Sequence, residues 1–317
     1  MRLLMIGSEG YVGSSLRRVW HNSHEVIPWN HQQELFSLGS EWFDENPVDA
    51  VINCATVMDR GSLLFQGGGP SDWVNVEGVR HLTEILQGRS IRLIHLSTAE
   101  VHGRVYHREN CDESELMWLP REEMSESLPF KPRNAYEKSK LMGEFLAEAY
   151  PYSTVLRFSH LMGESVHPRS SWVLRVIRAA QQLGQIGVQS PQEKIELEVQ
   201  GSGKEFVDAL HVTDLAHCIE RVVLGPPELS SGLKFLIGGG RENLISMRAL
   251  VAWIEAESGV QLLVRGMDRE SDVGLGYCAS NQFAENRLGW KPEFRVRDWL
   301  RREFAFLDEE VSSPSPS

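Results

Sequence analysis

Cysteine is scarce in this chain of 317 residues, and its few cysteines are far apart. They are Cys54, Cys111, Cys218 and Cys278. A zinc site or a dithiol redox motif needs ligands a few residues apart, so this spacing indicates neither, and we predict no metal. The low cysteine content also favours a reducing compartment.

The sequence also lacks a long apolar run and an excess of positive charge. No apolar stretch approaches the ~20 residues of a membrane-spanning helix. The formal net charge is -12, and an acidic protein repels the phosphates of nucleic acid. The N-terminus reads as a buried strand, not as a secretion signal. We therefore expect a cytoplasmic protein that binds neither membranes nor nucleic acid, although locally grouped cations can still hold an anionic small molecule.

What the first half does contain is a regular alternation of apolar strands and amphipathic helices. Strands are predicted at Leu3–Ile6, Glu25–Pro28, Ala50–Asn53, Ile91–Leu96 and Ser153–Phe158. Helices are predicted at Tyr11–His21, Asp72–Gln87 and Tyr136–Ala149. This alternation predicts an α/β fold, a doubly wound parallel sheet covered by helices on both faces.

Three glycines follow the first predicted strand at a spacing typical of a phosphate-binding turn. Gly7, Gly10 and Gly13 permit a tight turn, close approach of backbone to a pyrophosphate, and close packing of the next helix. The N-terminus of that helix, at Tyr11 and Val12, favours an anion. The sequence therefore predicts a dinucleotide site at this turn.

The residue that distinguishes NAD from NADP is expected at the end of the second strand, where Asn30 lies. An acidic residue there would indicate NAD, and a nearby arginine would indicate NADP. Asn30 argues for neither, so both cofactors stay open.

Tyr136 and Lys140 lie four residues apart in a predicted helix and therefore share one face. An ammonium beside a phenol favours the phenolate and lowers a pKa that is ordinarily about 10. Tyr136 is thus a candidate acid/base near neutral pH. Together with the glycine turn, this pair indicates a nicotinamide-dependent enzyme that oxidises or reduces an alcohol.

The second half has a less regular pattern and predicts a smaller C-terminal substrate-binding lobe. We assign residues 1–160 and 206–230 to a dinucleotide-binding domain and residues 161–205 and 231–311 to the lobe. Further helices are predicted at Ser171–Leu183, His211–Leu224 and Met247–Ser258. The polar tail, residues 312–317, has nothing to bury and is expected to be disordered.

Several segments occur in an order that resembles a known family. They are the glycine turn, residues 75–78, Ser97–Gly103, Tyr136–Lys140, Leu156–Phe158, His211–Ala216 and Asn286–Pro292. This combination resembles the extended short-chain dehydrogenases/reductases of the NAD-dependent epimerase/dehydratase family, most of which act on nucleotide sugars. The resemblance implies a Rossmann-type domain and a homodimer, and it slightly favours NAD over NADP.

The resemblance also implies roles for individual residues. Tyr136 and Lys140 would be catalytic, and Lys140 would also hold the nicotinamide ribose. Thr98 matches the family's Ser/Thr whose hydroxyl bonds the reacting oxygen. Backbone around Ala55 would face the cofactor, and Ser97 is placed with the cofactor-binding residues.

Glu100 could identify the reaction, because it matches a glutamate of the family's sugar 4,6-dehydratases. Once C4 is oxidised to a ketone, a carboxylate above C5 can remove the acidified C5 proton as general base. Ala99, however, stands where glucose-type dehydratases carry an acid, and Val207 stands where decarboxylases carry an arginine. Decarboxylation is therefore disfavoured, and an exposed turn acid is an equally weighted interpretation of Glu100.

Two further residues are candidates for substrate contact. Arg269 resembles a diphosphate-binding arginine of the family, and a guanidinium suits bidentate phosphate contacts. His160 lies where many relatives carry Asn, so it either contacts sugar or nicotinamide or is a buried structural histidine. Asn75 is expected to brace the fold.

The sequence thus predicts an NAD(P)-dependent nucleotide-sugar epimerase/dehydratase that acts through transient C4 oxidation. One alternative is a net NADPH-dependent 4-keto-sugar reductase similar to the dTDP-4-dehydrorhamnose reductases, which the short segment from residue 30 to 50 resembles. Another is a non-catalytic regulatory subunit on the same fold. The presence of Thr98, Tyr136 and Lys140 argues against that second alternative.

Overall fold

The computed structural model describes residues 1–29, 32–58, 69–163, 176–177, 180, 195–198, 201–259, 262–265 and 275–302. Asn30, Arg269, the tail 312–317 and most of the predicted helix Ser171–Leu183 lie outside these ranges. The predictions made for them stay predictions.

Strands in the described part of the chain are numbered in chain order. They are β1 Arg2–Ile6, β2 Glu25–Trp29, β3 Ala50–Asn53, β4 Arg92–Thr98, β5 Cys111–Glu113, β6 Trp118–Pro120, β7 Ser153–Phe158, β8 His160–Met162, β9 Ile195–Glu198, β10 Phe206–His211, β11 Leu233–Ile237, β12 Leu244–Ser246 and β13 Leu262–Arg265.

The helices are numbered in the same way. They are α1 Tyr11–Trp20, α2 Gln32–Ser37, α3 Trp42–Glu45, α4 Pro70–Asp72, α5 Gly78–Leu86, α6 Ala135–Ala147, α7 Val212–Leu224, α8 Met247–Ser258 and α9 Gln282–Leu288. A π-helical turn, Trp73–Glu77, joins α4 to α5, and a single 3₁₀ turn, Ala99–His102, follows β4.

Six strands form the central sheet in the order β11-β7-β4-β3-β1-β2. Every neighbouring pair is parallel. The central strands are near-continuous apolar runs, as expected for strands that are buried on both faces, and all residues of β3 are buried. The predicted α/β fold with a parallel sheet is confirmed.

Helices cover both faces of this sheet. The side chains of β1 point alternately to the two faces and pack in two different apolar clusters. Leu3 and Met5 join a cluster with residues of α1 and α7, including Trp20 and Ile219. Leu4 and Ile6 join a second cluster, which is formed with α5 and with residues 35–43. The period of two along a strand therefore builds the two layers.

The chain order reverses at β1, and this reversal positions the candidate site. From β1 the chain adds β2 on one side and then returns to add β3 on the other side. Ligands of open parallel sheets bind at the carboxyl ends of the strands where the order reverses. Gly7 follows β1 and Cys54 follows β3, so the glycine turn lies at this switch point.

Smaller sheets extend the molecule beyond the carboxyl edge. One has the order β12-β10-β8, another pairs β13 with β9, and a hairpin pairs β5 with β6. An apolar cluster contributed by β8, β10, β12 and α8 supports the three-stranded sheet and includes Leu262 of β13, whereas Cys111 and Trp118 of the hairpin pack in a separate cluster. The hairpin lies in the long connection between Gly103 and Tyr136, and Trp118 of β6 donates its backbone N–H to the Lys204 carbonyl at 3.1 Å. This connection therefore packs on the three-stranded sheet, where Trp118 lies in one apolar cluster with Phe206 of β10 and Leu244 of β12.

Two strands pair with partners that the predicted domain boundaries do not suggest. Strand β11, inside the range 231–311, pairs with β7 in the central sheet. Strand β10, inside the range 206–230, pairs instead with β8 and β12. Strand partners depend on contacts between distant parts of the chain, which the local sequence pattern does not encode. The substrate-binding role of the predicted C-terminal lobe stays a prediction.

Among the helices of the described ranges, none is both long and apolar enough to cross a bilayer. The cytoplasmic location stays a prediction.

Asp214 fastens the C-terminal segment to α7 and provides a test of the fold. Its carboxylate accepts hydrogen bonds from the Glu293 and Phe294 backbone N–H groups at 3.0 and 3.1 Å, and its carbonyl accepts one from Trp290 Nε1 at 3.0 Å.

Replacing Asp214 with Ala leaves two N–H groups without an acceptor and should lower the free energy of unfolding by about 2–4 kcal/mol. Urea denaturation measures this, and the exposed Asp298→Ala is the control, which should change it by less than about 1 kcal/mol. Equal effects would contradict this role for Asp214.

Candidate active site

The first and last glycines of the turn are required by the protein's own packing. Gly7 has φ +75°, and a Cβ on it would lie 2.7 Å from the Ala55 Cα. A Cβ on Gly13 would lie 2.4 Å from the Gly7 carbonyl oxygen. These two positions bring β1, the segment after β3, and α1 together.

The middle glycine faces outward. A Cβ on Gly10 would meet only the Gly7 carbonyl oxygen, at 3.4 Å, and Gly10 is exposed. It is the extended N-cap of α1, and the first turn of that helix carries no acidic residue. Backbone N–H groups and the positive end of a helix dipole therefore meet an open surface at the switch point, an arrangement that fits the pyrophosphate of a dinucleotide.

Tyr136 and Lys140 lie in the first turns of α6, where the Asn134 side chain accepts a hydrogen bond from the Glu137 N–H at 2.9 Å. Tyr136 is buried, and Lys140 is only 2% exposed. The Lys140 ammonium donates to the Leu96 carbonyl of β4 at 2.6 Å. Burial lowers the Lys140 pKa to about 8, while Glu144 and Cys54 oppose the shift. The ammonium is therefore still largely protonated at neutral pH.

Thr98 and Glu100 lie on the continuation of β4. Thr98 is its last residue, and Thr98 Oγ1 accepts a hydrogen bond from the Glu100 N–H at 3.2 Å. The hydroxyl hydrogen of Thr98 can therefore be donated to a ligand oxygen. Glu100 is half-buried in the turn Ala99–His102, which ends at Gly103 with φ +73°.

Asn75 braces the site, as the sequence led us to expect. Its Nδ2 donates to the Val57 carbonyl and to Ser139 Oγ, both at 2.8 Å, and its Oδ1 accepts from the Val57 N–H at 2.9 Å. The segment that contains Ala55 is thereby tied to α6.

Ser97 and His160, two other predicted site residues, are held differently. Ser97 is buried, and its hydroxyl donates to Glu144, so that side chain points into the protein. His160 is half-buried at the start of β8, in register with Ala209 of β10. Contacts of either residue with a ligand stay predictions.

The two departures from the family pattern also have a structural context. Ala99 is fully buried in an apolar cluster with Met124, Leu236 and Tyr277. Val207 packs on the edge of the apolar cluster that contains α8. Both positions are therefore apolar contacts and place no charged group at the site.

Sequence reasoning missed the buried ion pair beneath the site. Arg157 Nη2 and Glu144 Oε2 are 2.7 Å apart, and both side chains are almost fully buried. The available signal was the spacing of Glu144, which lies four residues after Lys140 and so on the same face of α6.

A parallel sheet with a glycine turn at its switch point, together with a buried Tyr–Lys pair on the helix that is bonded to β4, defines a Rossmann-type protein of the short-chain dehydrogenase/reductase class. The sequence matches the model of the NAD dependent epimerase/dehydratase family over residues 3–238. The chain belongs to this family.

Known proteins with similar sequences or structures include enzymes of more than one activity. The dTDP-glucose 4,6-dehydratase of Shigella flexneri is 21% identical in an alignment 348 residues long, which covers 95% of this chain and 91% of that protein. RMD from Pseudomonas aeruginosa, complexed with NADPH, has a TM-score of 0.74 at 24% identity, covering 98% of this chain and 99% of that one. UDP-glucuronic acid 4-epimerase from Bacillus cereus, in complex with UDP-glucuronic acid and NAD, has a TM-score of 0.72 at 20% identity, covering 98% of this chain and 100% of that one.

The contrast between Gly10 and Gly13 gives a matched test of the dinucleotide site. Gly10→Ala should leave the melting temperature nearly unchanged, because its Cβ fits, but weaken NAD binding by roughly tenfold or more, about 1.4 kcal/mol. Gly13→Ala should lower the melting temperature, because its Cβ would meet the Gly7 carbonyl. Calorimetric titration and thermal unfolding measure the two effects. Unchanged NAD affinity in Gly10→Ala would remove this turn from the site.

Lys140 gives a pH-dependent prediction for the protein without ligand. Its pKa falls from 10.5 to about 8 on folding, so between these values the unfolded chain binds more protons than the folded one. The free energy of unfolding should therefore rise with pH in this window, by up to about 3 kcal/mol relative to Lys140→Met. Denaturant titrations of both proteins at several pH values measure the difference. A difference that does not change with pH would contradict the lowered pKa.

Proposed function

We propose that this protein binds NAD or NADP and converts a nucleotide-activated sugar through transient oxidation at C4, as an epimerase or dehydratase. The observation that carries the proposal is the bond from the buried Lys140 ammonium to the Leu96 carbonyl. It sets the Tyr136–Lys140 face of α6 against the end of β4, where Thr98 lies, at the same edge of the sheet as the glycine turn.

The chain has suitable groups for each part of a dinucleotide. The turn from Gly7 to Gly13 and the first turn of α1 would hold the pyrophosphate. Lys140 would hold the ribose next to the nicotinamide, and Asn30 would lie near the adenosine ribose. A nicotinamide bound there would supply a reversible hydride acceptor for C4 of the sugar.

Tyr136 and its neighbours would move the proton that accompanies this oxidation. The Tyr136 phenolate takes the proton of the sugar hydroxyl, and the positive charge of Lys140 favours the phenolate. Thr98, whose hydroxyl hydrogen is available, donates to the same sugar oxygen. Proton transfer by positioned groups of this kind contributes about 10²–10⁴-fold to a rate.

Glu100 would act after C4 has become a ketone. Its carboxylate takes the acidified C5 proton as general base. Delivery of a different proton, from solvent, to the opposite face of C5 would give an epimer, and loss of the C6 hydroxyl as water would give a dehydrated sugar. The buried Ala99 supplies no proton for the leaving hydroxyl, so dehydration would need another donor.

The substrate class is supported by the relatives. The curated relative acts on dTDP-glucose, and a similar structure holds UDP-glucuronic acid. His160 and Arg269 would contact the sugar and the diphosphate.

A net reductase is the second candidate, and two observations favour it. A structure similar to this chain was obtained with NADPH, and the connection from β2 to β3 is short and contains the small helices α2 and α3. A reductase would consume NADPH in proportion to product, whereas an epimerase or dehydratase shows no net change in nicotinamide absorbance.

The homodimer stays a prediction. By the family resemblance its interface would involve α6 and the helical segment that contains Asn75, and Met142 and Phe145 of α6 are exposed apolar side chains.

Replacing Tyr136 with Phe tests the proposed chemistry. The variant should lose about two to four orders of magnitude in turnover, because the proton acceptor is gone, while NAD affinity stays within about threefold. Mass spectrometry of products from a panel of nucleotide sugars measures turnover. Tyr152→Phe is the matched control and should stay fully active, because Tyr152 comes just before β7, at the amino edge of the sheet and opposite the edge that carries the site. Normal turnover of Tyr136→Phe would exclude this mechanism.

A further inference from the structure

The turn that carries Glu100 is attached to the buried core by His102. His102 is the last residue of the turn Ala99–His102 and is fully buried. Its Nε2 lies 3.3 Å from Arg157 Nη1. The attachment point is therefore only two residues from the candidate base.

Arg157 is itself held rigidly. Its Nη2 donates to Glu144 Oε2 at 2.7 Å, and its Nε lies 3.1 and 3.0 Å from the two Glu144 oxygens. The Ser97 hydroxyl donates to the same carboxylate. A bidentate pair of this kind has one well-defined geometry. The pair joins β4, β7 and α6. A side chain that contacts Arg157 is therefore held in a fixed position relative to α6, which carries Tyr136 and Lys140.

The imidazole has the protonation state that this contact requires. Burial and the Arg157 charge lower the His102 pKa, although the carbonyl groups of Pro129 and Leu128, together with Glu144, oppose the shift. A neutral ring can accept the Arg157 hydrogen at Nε2 and keep its own proton on Nδ1. An imidazolium would instead place two positive charges together.

The chain segment just before α6 completes the enclosure. The Phe130 ring lies 5.3 Å from the His102 ring and 4.8 Å from the Arg157 guanidinium carbon. The Lys131 N–H donates to the Val101 carbonyl at 3.0 Å. The turn with Glu100 and the segment that leads to Tyr136 are thus packed on one polar cluster.

We propose that His102 is a positioning residue that fixes the Glu100 carboxylate relative to Tyr136 through its contact with Arg157. The proposal rests on the proposed function, in which Glu100 is the base at C5. The Thr98 cap holds the start of the turn and His102 holds its end. Loss of the second restraint frees the turn to move, and a displacement of about 1 Å at a reacting group can cost about 10²-fold in rate.

His102→Gln and His102→Asn form the matched pair that tests this role. The Gln amide can reach Arg157 where Nε2 does, whereas the Asn amide is one methylene shorter and cannot. Both are neutral and polar, so the two variants differ chiefly in whether the amide reaches Arg157. The full-length protein is used, and its melting temperature confirms that each variant is folded.

The first readout needs no substrate. The Glu100 and Gly103 N–H groups are hydrogen-bonded within the turn, so their hydrogen–deuterium exchange reports its opening. Exchange measured by mass spectrometry should be about tenfold faster in His102→Asn than in His102→Gln, and His102→Gln should resemble the wild type. Equal exchange in the two variants would overturn the proposal.

The second readout separates this role from the assignment of Glu100. In deuterated water with dTDP-glucose, UDP-glucose or UDP-glucuronic acid, deuterium incorporation at C5 should fall about 10- to 100-fold in His102→Asn. KM and the C4 oxidation seen in a single turnover should stay within about twofold, since Tyr136, Lys140 and Thr98 are untouched. A merely structural His102 would slow both steps together, which contradicts the proposal.

Glu100→Gln is the reference variant for that readout. If it keeps normal deuterium incorporation, the assignment of Glu100 as base fails, whatever His102 does. If it loses incorporation while His102→Asn behaves as the wild type, the positioning role fails and the proposed function stands.

Discussion

The buried ammonium of Lys140 is the interaction on which the arrangement of the site depends. Its bond to the Leu96 carbonyl holds α6 against the end of β4. Tyr136, one helical turn earlier, and Thr98, two residues further along the strand, are thereby brought to one edge of the sheet. Burying a cation costs free energy, and the lowered pKa expresses that cost. Glu144, one turn further along α6, offsets part of it.

Two further sets of polar groups beneath the site are buried together with their partners. Arg157 binds Glu144, and Asn75 satisfies three hydrogen bonds with Val57 and Ser139. Removing one member of such a set leaves a buried group without its partner, at a cost of about 3–5 kcal/mol for an ion pair. The network is therefore sensitive to the loss of any one member. The candidate catalytic groups at the carboxyl edge lie on this support.

Local patterning predicted the parts of the site but not how they are supported. The three glycines look equivalent in the sequence, yet Gly7 and Gly13 are required by packing, whereas Gly10 leaves an outward-facing surface open. Glu144 could be placed on the Lys140 face from helical spacing, but its partner Arg157 comes from another strand. The apolar surroundings of Ala99 were equally out of reach, because Leu236 and Tyr277 are distant in the chain.

The sequence by itself determined what depends on near neighbours. This includes the strand–helix alternation, the glycine turn after the first strand, and the shared face of Tyr136 and Lys140, all of which follow from backbone periodicity. Only the tertiary structure decided that β11 joins the central sheet while β10 leaves it. It also decided that His102 meets Arg157 across 55 residues of chain and that Lys140 meets Leu96 across 44. Such contacts depend on how whole elements pack, and a buried polar group accepts whichever partner that packing brings within hydrogen-bonding distance.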